Sequence, residues 1–226
     1  MWRLLDRRLV LLLAAVALGP GGAVAATSTS GSAPAVSASA SAPAPAVGDM
    51  SLGSAKAKVT VVEYASMSCP HCARFNNNVF PAFRKKYVDS GKVRYVLREY
   101  LTQPVEVAEA GFMLARCAGK GGYFSVIDTF FHGQEEMYRV GDAGPLIGSA
   151  GAVGGLTAPQ IEACLSDDAA RKALEARVEG YATHEGVDST PTFVINGQKL
   201  PELDHEVQLA DLDKALAPLL SKPRGH

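Results

Sequence analysis

The sequence predicts an α/β fold, and three observations carry that expectation. Val59–Ala65 is a β-branched, nearly unbroken apolar run, as expected of a strand buried on both faces of a sheet. Residues 104–186 then give one helical signal after another. Finally, Thr192–Ile195 reads as a strand that runs into Asn196-Gly197, a strong two-residue hairpin turn.

The elements follow in order. Arg3, Arg7 and Arg8 precede an uncharged apolar run over residues 9–18, and Ala23-Val24-Ala25 supplies a small-x-small cleavage pattern. The run is well short of the roughly 20 residues a spanning helix needs. Residues 1–25 are therefore expected to be a cleaved signal peptide, with an uncleaved membrane anchor as the alternative. Export to the periplasm would place the chain where disulfides form and persist. Residues 26–48 are nearly all Ala, Ser, Thr, Pro, Gly and Val. Such a stretch buries too little surface to offset its ordering entropy, so a disordered tether is expected. Order should begin near Asp49, and one domain should extend over 49–220, with 221–226 as a tail.

After the first strand comes a helical pattern with Phe75, Val79, Phe83 and Tyr87 on one face. Pro81 should kink it, and Ser90-Gly91 should end it. Residues 93–100 alternate and read as a second strand, parallel to the first through a right-handed crossover. In the helical block, one helix carries Val107, Phe112, Leu114 and Ala115, and another carries Phe124, Ile127 and Phe130. Thr157 suits the N-cap of a further helix, with Pro159 just inside it. A long helix should cover Asp168–His184. Residues 198–200 should pair back after the hairpin turn, and an amphipathic helix over 206–220 should close the chain. This order, β-α-β, helices, β-turn-β, α, is thioredoxin-like topology. The helical insertion, about 104–186, lies between the second strand and the strand that follows Pro191.

The formal net charge is −1 in 226 residues, so nothing electrostatic suggests nucleic acid as a partner. The chemistry resides in the cysteines: Cys69, Cys72, Cys117 and Cys164. Cys69 directly follows the buried strand and opens a helix. Free amides and the helix dipole at that point favour a negative charge, so the Cys69 thiol should be acidified below about 8.5. Pro70 suits the first helical turn because it has no N–H to waste. Cys72 lies one turn inward, within disulfide reach and more shielded. His71 adds a donor, and a cation when protonated, beside the nascent thiolate. Purely structural cysteines fit this strand–Cys-x-x-Cys–helix arrangement poorly. A four-cysteine zinc site fits worse still, because the second pair lacks the spacing. No metal or cofactor is expected.

Glu63 lies within an otherwise apolar strand, six residues before Cys69. A buried carboxylate there is costly unless paired or protonated. Desolvation would raise its pKa and let it exchange a proton with Cys72. Arg94 or Arg98 on the next strand is the candidate partner, and a solvent-facing carboxylate is the alternative. Cys117 and Cys164 fall in separate predicted helices. A structural disulfide between them is the favoured reading; two buried thiols or a second redox pair are the alternatives.

The chain resembles the DsbA-like thiol:disulfide oxidoreductases of the thioredoxin superfamily. Residues 63–72, EYASMSCPHC, and residues 188–197, DSTPTFVING, carry the resemblance, in this order around a helical block. It implies that Cys69 is the nucleophile, Cys72 the resolving cysteine, and Pro191 a cis-proline beside the disulfide, preceded by Thr190. It also implies an acidic residue at Glu63, and a Pro-His dipeptide, Pro70-His71, of the type associated with strong oxidants. Clients would be unfolded or partly folded exported proteins with free thiols, and a membrane quinone-linked thiol oxidase would restore the disulfide. The tether differs from the dimerisation domain of family isomerases, so a monomeric dithiol oxidase is expected. A disulfide isomerase or reductase, and a non-catalytic peptide-binding or chaperone module, remain the alternatives. Thr190 occurs in isomerases and oxidases alike and does not decide between them.

Overall fold

The computed structural model describes residues 43, 44 and 47–221. The expected signal peptide over 1–25, most of the expected tether over 26–48, and the tail over 222–226 lie outside the described residues. Five strands, β1 (Met50–Leu52), β2 (Val59–Ala65), β3 (Val93–Glu99), β4 (Thr192–Ile195) and β5 (Gln198–Lys199), form one sheet in the order β1-β3-β2-β4-β5. β2 and β3 are parallel, with Val61 opposite Tyr95 and Glu63 opposite Leu97. The other pairings are antiparallel. β2 is central, and its side chains are buried or nearly so along its length, which is why its sequence is a continuous apolar run rather than an alternating one.

The connection from β2 to β3 is helical throughout. α1 (Pro70–Asn78) ends at Val79, and α2 (Phe80–Phe83) restarts the helix with Pro81 in its first turn. The break therefore falls just before the proline, as its missing N–H and ring sterics require. A π-helical turn over Arg84–Val88 completes the segment. Phe75, Phe83 and Tyr87 are buried, with Phe75 against Phe193 of β4 at 4.7 Å between ring centres and Phe80 against Tyr95 of β3 at 4.6 Å. These aromatic contacts fix α1 and α2 on the sheet and so fix where the first turn of α1 meets the end of β2.

The helical block comprises α3 (Val105–Cys117), α4 (Gly119–Val140), α5 (Gly144–Val153), α6 (Ala158–Leu165) and α7 (Asp168–His184). The Gln160 side chain accepts hydrogen bonds from the Thr157 N–H (2.9 Å) and hydroxyl (3.0 Å) at the start of α6. Asp167 accepts from the amides of Ala169 and Ala170 at the start of α7, so an N-cap marks that boundary. The block is joined to the sheet by a buried ionic cluster. Glu99, at the end of β3, receives Arg116 of α3 at 2.5 Å, Arg177 of α7 at 3.3 Å and the Tyr123 hydroxyl of α4 at 3.2 Å. Two cations and a hydroxyl on one carboxylate are what make its full burial tolerable.

The hairpin turn between β4 and β5 has Asn196 at φ 48° and Gly197 at φ 82°. Both central residues must be left-handed in this turn, which is the reason for the Asn-Gly pair. Asn196 also accepts a hydrogen bond from the Thr60 amide at 2.8 Å, clipping the turn to β2. Two features differ from the sequence reading. β1 was not foreseen, and the last helix, α8 (Leu209–Ser221), begins three residues later than expected. Asp211 accounts for the later start, because its carboxylate accepts from the Gln208 amide at 2.8 Å and sets the helix entry there.

A disulfide joins Cys117, at the end of α3, to Cys164 in α6, and both residues are buried. It closes a loop with a sequence separation of 47, which by loop-closure entropy is worth about 4 kcal/mol. A Cys117→Ala/Cys164→Ala protein should lose unfolding free energy of that order in chemical denaturation, while the titration of Cys69 stays where it is. Unchanged stability would show that the cross-link constrains nothing.

Candidate functional site

β2 ends at Ala65, and a four-residue turn, Ser66 to Cys69, delivers the chain to α1. Cys69 is the N-cap, with extended backbone angles, and Pro70 opens the helix. The turn is held from two directions. The Ser66 hydroxyl accepts from the Thr102 amide (3.1 Å) and hydroxyl (2.9 Å), and the Ser68 hydroxyl donates to the Thr102 carbonyl at 2.8 Å. From α4, buried Gln134 donates to the carbonyls of Met67 (2.7 Å) and Cys69 (3.3 Å), and the Tyr138 hydroxyl donates to the Ser68 carbonyl at 2.6 Å. Gln134 and Tyr138 were not singled out in the sequence. A helical glutamine carries no signal that its amide will reach another element's turn.

Cys69 and Cys72 are free thiols. Cys69 is lowered from its ordinary value near 9 to about 5. The largest cause is a hydrogen bond from the Cys72 thiol; partial burial opposes it, and the Thr190 side chain and the backbone amides of Cys72 and His71 add to the lowering. The Thr190 hydroxyl is buried and makes no hydrogen bond of ordinary geometry among the described residues. The Cys69 thiol lies 3.4 Å from the Thr190 carbonyl, and the Thr190–Pro191 peptide bond is cis. Cys72 is fully enclosed and pushed well above its ordinary value, first by burial and then by the proximity of Cys69 and Glu63. Two thiols three residues apart are thus driven in opposite directions.

Glu63 is 2 % exposed and raised from 4.5 to about 8. Burial dominates; a hydrogen bond from Tyr95 works against it, and the charge on Cys69 adds to the rise. The expected arginine partner is a correction. Arg94 donates to Ser51, and Arg98 is taken by Asp49 at 3.0 Å and by Glu185 at 2.6 Å. The donor to Glu63 is the Tyr95 hydroxyl, at 2.5 Å. Strand alternation explains this: Tyr95 lies on the face of β3 that Glu63 occupies on β2, and both arginines lie on the other.

The donor that His71 brings to Cys69 is its backbone. Its amide faces the Cys69 sulfur, but its ring is exposed and its Nδ1 lies 2.8 Å from Glu206, which also accepts from Arg74 at 2.7 Å. Glu206 belongs to the segment between β5 and α8. That segment, α1 and the turn before β4 enclose a groove of about 620 Å³, lined among others by His71, Phe75, Pro191, Leu200, Leu203 and Glu206. The groove thus begins beside the less enclosed sulfur, at His71, Thr190 and Pro191, while the second sulfur and the raised carboxyl of Glu63 are fully buried.

The thioredoxin family model matches residues 46–217. A provisionally named protein-disulfide oxidoreductase of Rickettsia bellii is 32% identical over 169 residues, covering 74% of this chain; the chain spans 64% of that relative's length. Among solved structures, Wolbachia pipientis alpha-DsbA1 superposes with a TM-score of 0.67 at 24% identity, covering 78% of this chain and 92% of that one. A protein-disulfide isomerase of Novosphingobium aromaticivorans superposes with a TM-score of 0.65 at 22% identity, covering 78% and 100%. These two likenesses bear on the fold.

Thiolate absorbance should report the asymmetry of the two sulfurs directly. In the reduced protein one thiol should titrate with a midpoint near pH 5, and a sub-stoichiometric alkylating agent at pH 6 should label Cys69 and leave Cys72 unmodified. Equal labelling of the two would contradict the geometry.

Proposed function

The chain belongs to the thioredoxin family, and we propose that it is an exported protein-disulfide oxidoreductase acting as a dithiol oxidase. The observation that carries this reading is the acidified Cys69 sulfur at the start of α1, three residues from an enclosed and basic Cys72. A stabilised thiolate favours the reduced dithiol, so the Cys69–Cys72 disulfide is correspondingly oxidising. A client thiolate attacks Cys69 and forms a mixed disulfide, releasing Cys72 as a thiolate. Glu63, protonated at neutral pH, supplies its proton to Cys72. A second client thiol then displaces Cys69, and the protein leaves reduced. Pro191 and Thr190 border the groove in which an extended client segment lies, with Thr190 offering its backbone for strand-like pairing. A quinone-linked membrane thiol oxidase would restore the disulfide. The provisional name of the Rickettsia relative supports the class of reaction.

The second reading is an isomerase, favoured by the likeness to the Novosphingobium protein of that name. Energetics separate the two. In the oxidase the reduced fold is the more stable at neutral pH. Cys69 has a folded pKa of about 5 against an unfolded value of about 8.5, so its contribution is complete above the unfolded value and is lost as pH falls through 5. Glu63 acts with opposite sign: its raised value favours the fold at low pH, and that contribution is lost as pH rises toward 8. Burial, its largest cause, acts in both redox forms, and only the smaller rise due to the Cys69 charge is confined to the reduced one, so comparing them cancels most of the Glu63 contribution and leaves mainly that of the sulfur. Paired denaturation should show the reduced-minus-oxidised stability gap growing between pH 5 and 8.5. An oxidised form that is the more stable at pH 7 would overturn the oxidase reading.

Replacing Cys72 removes the internal thiol that frees Cys69. Cys72→Ser, mixed with a reduced client under oxidising conditions, should accumulate covalent adducts on non-reducing gels that reductant dissolves. A clean monomer band would sink the assignment of Cys69 as nucleophile.

A further inference from the structure

Glu63 has no cation against it among the described residues, since Arg94 and Arg98 are engaged elsewhere. Its hydrogen-bond donor is the Tyr95 hydroxyl at 2.5 Å, and both groups are buried. Phe80 and Phe124 pack around the Tyr95 ring at 4.6 and 6.2 Å, with Phe83 at 6.3 Å, so its hydroxyl is aimed at Glu63 by its surroundings. The titratable groups facing Glu63 are Tyr95 of β3 and Cys69 and Cys72 from the redox turn and α1. Directly opposite it in the sheet stand Leu97 of β3 and Phe193 of β4, both apolar.

We propose that Tyr95 is a positioning residue for proton transfer at Cys72, holding the Glu63 carboxyl beside the dithiol and stabilising the carboxylate left when Glu63 gives up its proton. The inference rests on the reading of Glu63 as the acid for Cys72. The step balances: the client thiolate forms an S–S bond to Cys69, the Cys69–Cys72 bond breaks with its electron pair on Cys72, and the Glu63 proton passes to that sulfur. The oxidant is the protein's own disulfide. A neutral donor suits this task better than a cation. An arginine would hold Glu63 as a carboxylate at neutral pH and so remove the proton it has to give. The tyrosine O–H leaves that proton in place and binds more strongly once the charge appears. Tyr95 keeps its own proton, because burial first, and then Glu63, push it well above its ordinary value.

The test uses Tyr95→Phe in the full chain, with two readouts. The Glu63 carboxyl is titrated by carbon NMR in the reduced protein. The ring-closing step, in which Cys72 displaces glutathione from Cys69, is followed against pH after mixing with oxidised glutathione. In the native protein the closing rate should rise as the Glu63 carboxyl ionises, with its inflection somewhat below the midpoint of about 8 seen in the reduced protein, because Cys69 carries no charge in the mixed disulfide. In Tyr95→Phe the carboxyl and the inflection should both move up by about one pH unit, with closing at pH 7 slowed by up to about tenfold. The initial attack of Cys69 on glutathione should be unchanged. A folded variant with both at the native position overturns the proposal, as does a carboxyl that moves while the closing profile does not. Failure to oxidise a client would count against the oxidase reading alone, because glutathione serves in its place here. If Tyr95→Phe does not fold, Glu63→Gln provides the second arm. Its Tyr95 hydroxyl proton should shift upfield and exchange faster, and an unmoved signal overturns the pairing.

Discussion

Everything in the site depends on the hydrogen bonds that converge on the Cys69 sulfur. A sulfur at a helix N-cap gains from donors in the first turn only if the chain arrives at the correct angle. Here the angle is set by a four-residue turn that has no regular structure of its own. Hydroxyls of Ser66, Ser68 and Thr102 brace it from below, and the side chains of Gln134 and Tyr138 brace it from α4. Each of those α4 donors takes up a backbone carbonyl close to the sulfur. Unsatisfied, those carbonyl dipoles would be both costly to bury and a negative field on the thiolate. The helical block is therefore part of the electrostatics of the site as well as a cover for it.

The same short stretch of chain separates two opposite environments. Cys69 lies where donors meet the margin of the groove, beside its lining residues His71, Thr190 and Pro191, and Cys72 and Glu63 lie beneath it in the enclosed layer between α1 and the sheet. Burial is the common cause of the high values of Cys72 and Glu63, whereas hydrogen bonding is the cause of the low value of Cys69. Proximity couples them: a negative Cys69 makes both buried groups harder to ionise. The pair therefore carries its charge on the less enclosed sulfur and its proton on the fully enclosed one, the division of labour that the proposed directional thiol exchange requires.

Much of this was legible in the residues. The apolar run of β2 specifies a two-sided burial that few other arrangements satisfy, and Cys69-Pro70, a short turn beyond it, marks a helix start. Asn196-Gly197 and Asp168–His184 were equally readable, since a left-handed turn and a long helix are local events. What escaped was set by pairing. β1 is three residues long and gains its identity only from its antiparallel partner on β3. The partner of Glu63 was missed because choosing among Arg94, Tyr95 and Arg98 requires the register of two parallel strands, and a shift of one residue exchanges the faces. The reach of Gln134 across to Met67 and Cys69 was unreadable for the same reason: nothing local distinguishes it from a solvated glutamine.

The attachment of β1 has a mechanical side. Asp49, just before β1, is gripped by Arg98, which also holds Glu185 and stacks over the rings of Tyr64 and Tyr181 at 5.6 and 5.1 Å. The Gly48 carbonyl accepts from Arg116 at 2.7 Å. A pull on the chain before residue 47 would therefore be carried by two arginines and three rungs of β1 into the edge of β3. Force entering along that line is shared among β3, the Tyr64 side chain of β2 through Arg98, and α3 through Arg116. A load on residues 48 and 49 is thus spread over the far edge of the sheet and the helical block, and none of these contacts is made by the turn that carries Cys69.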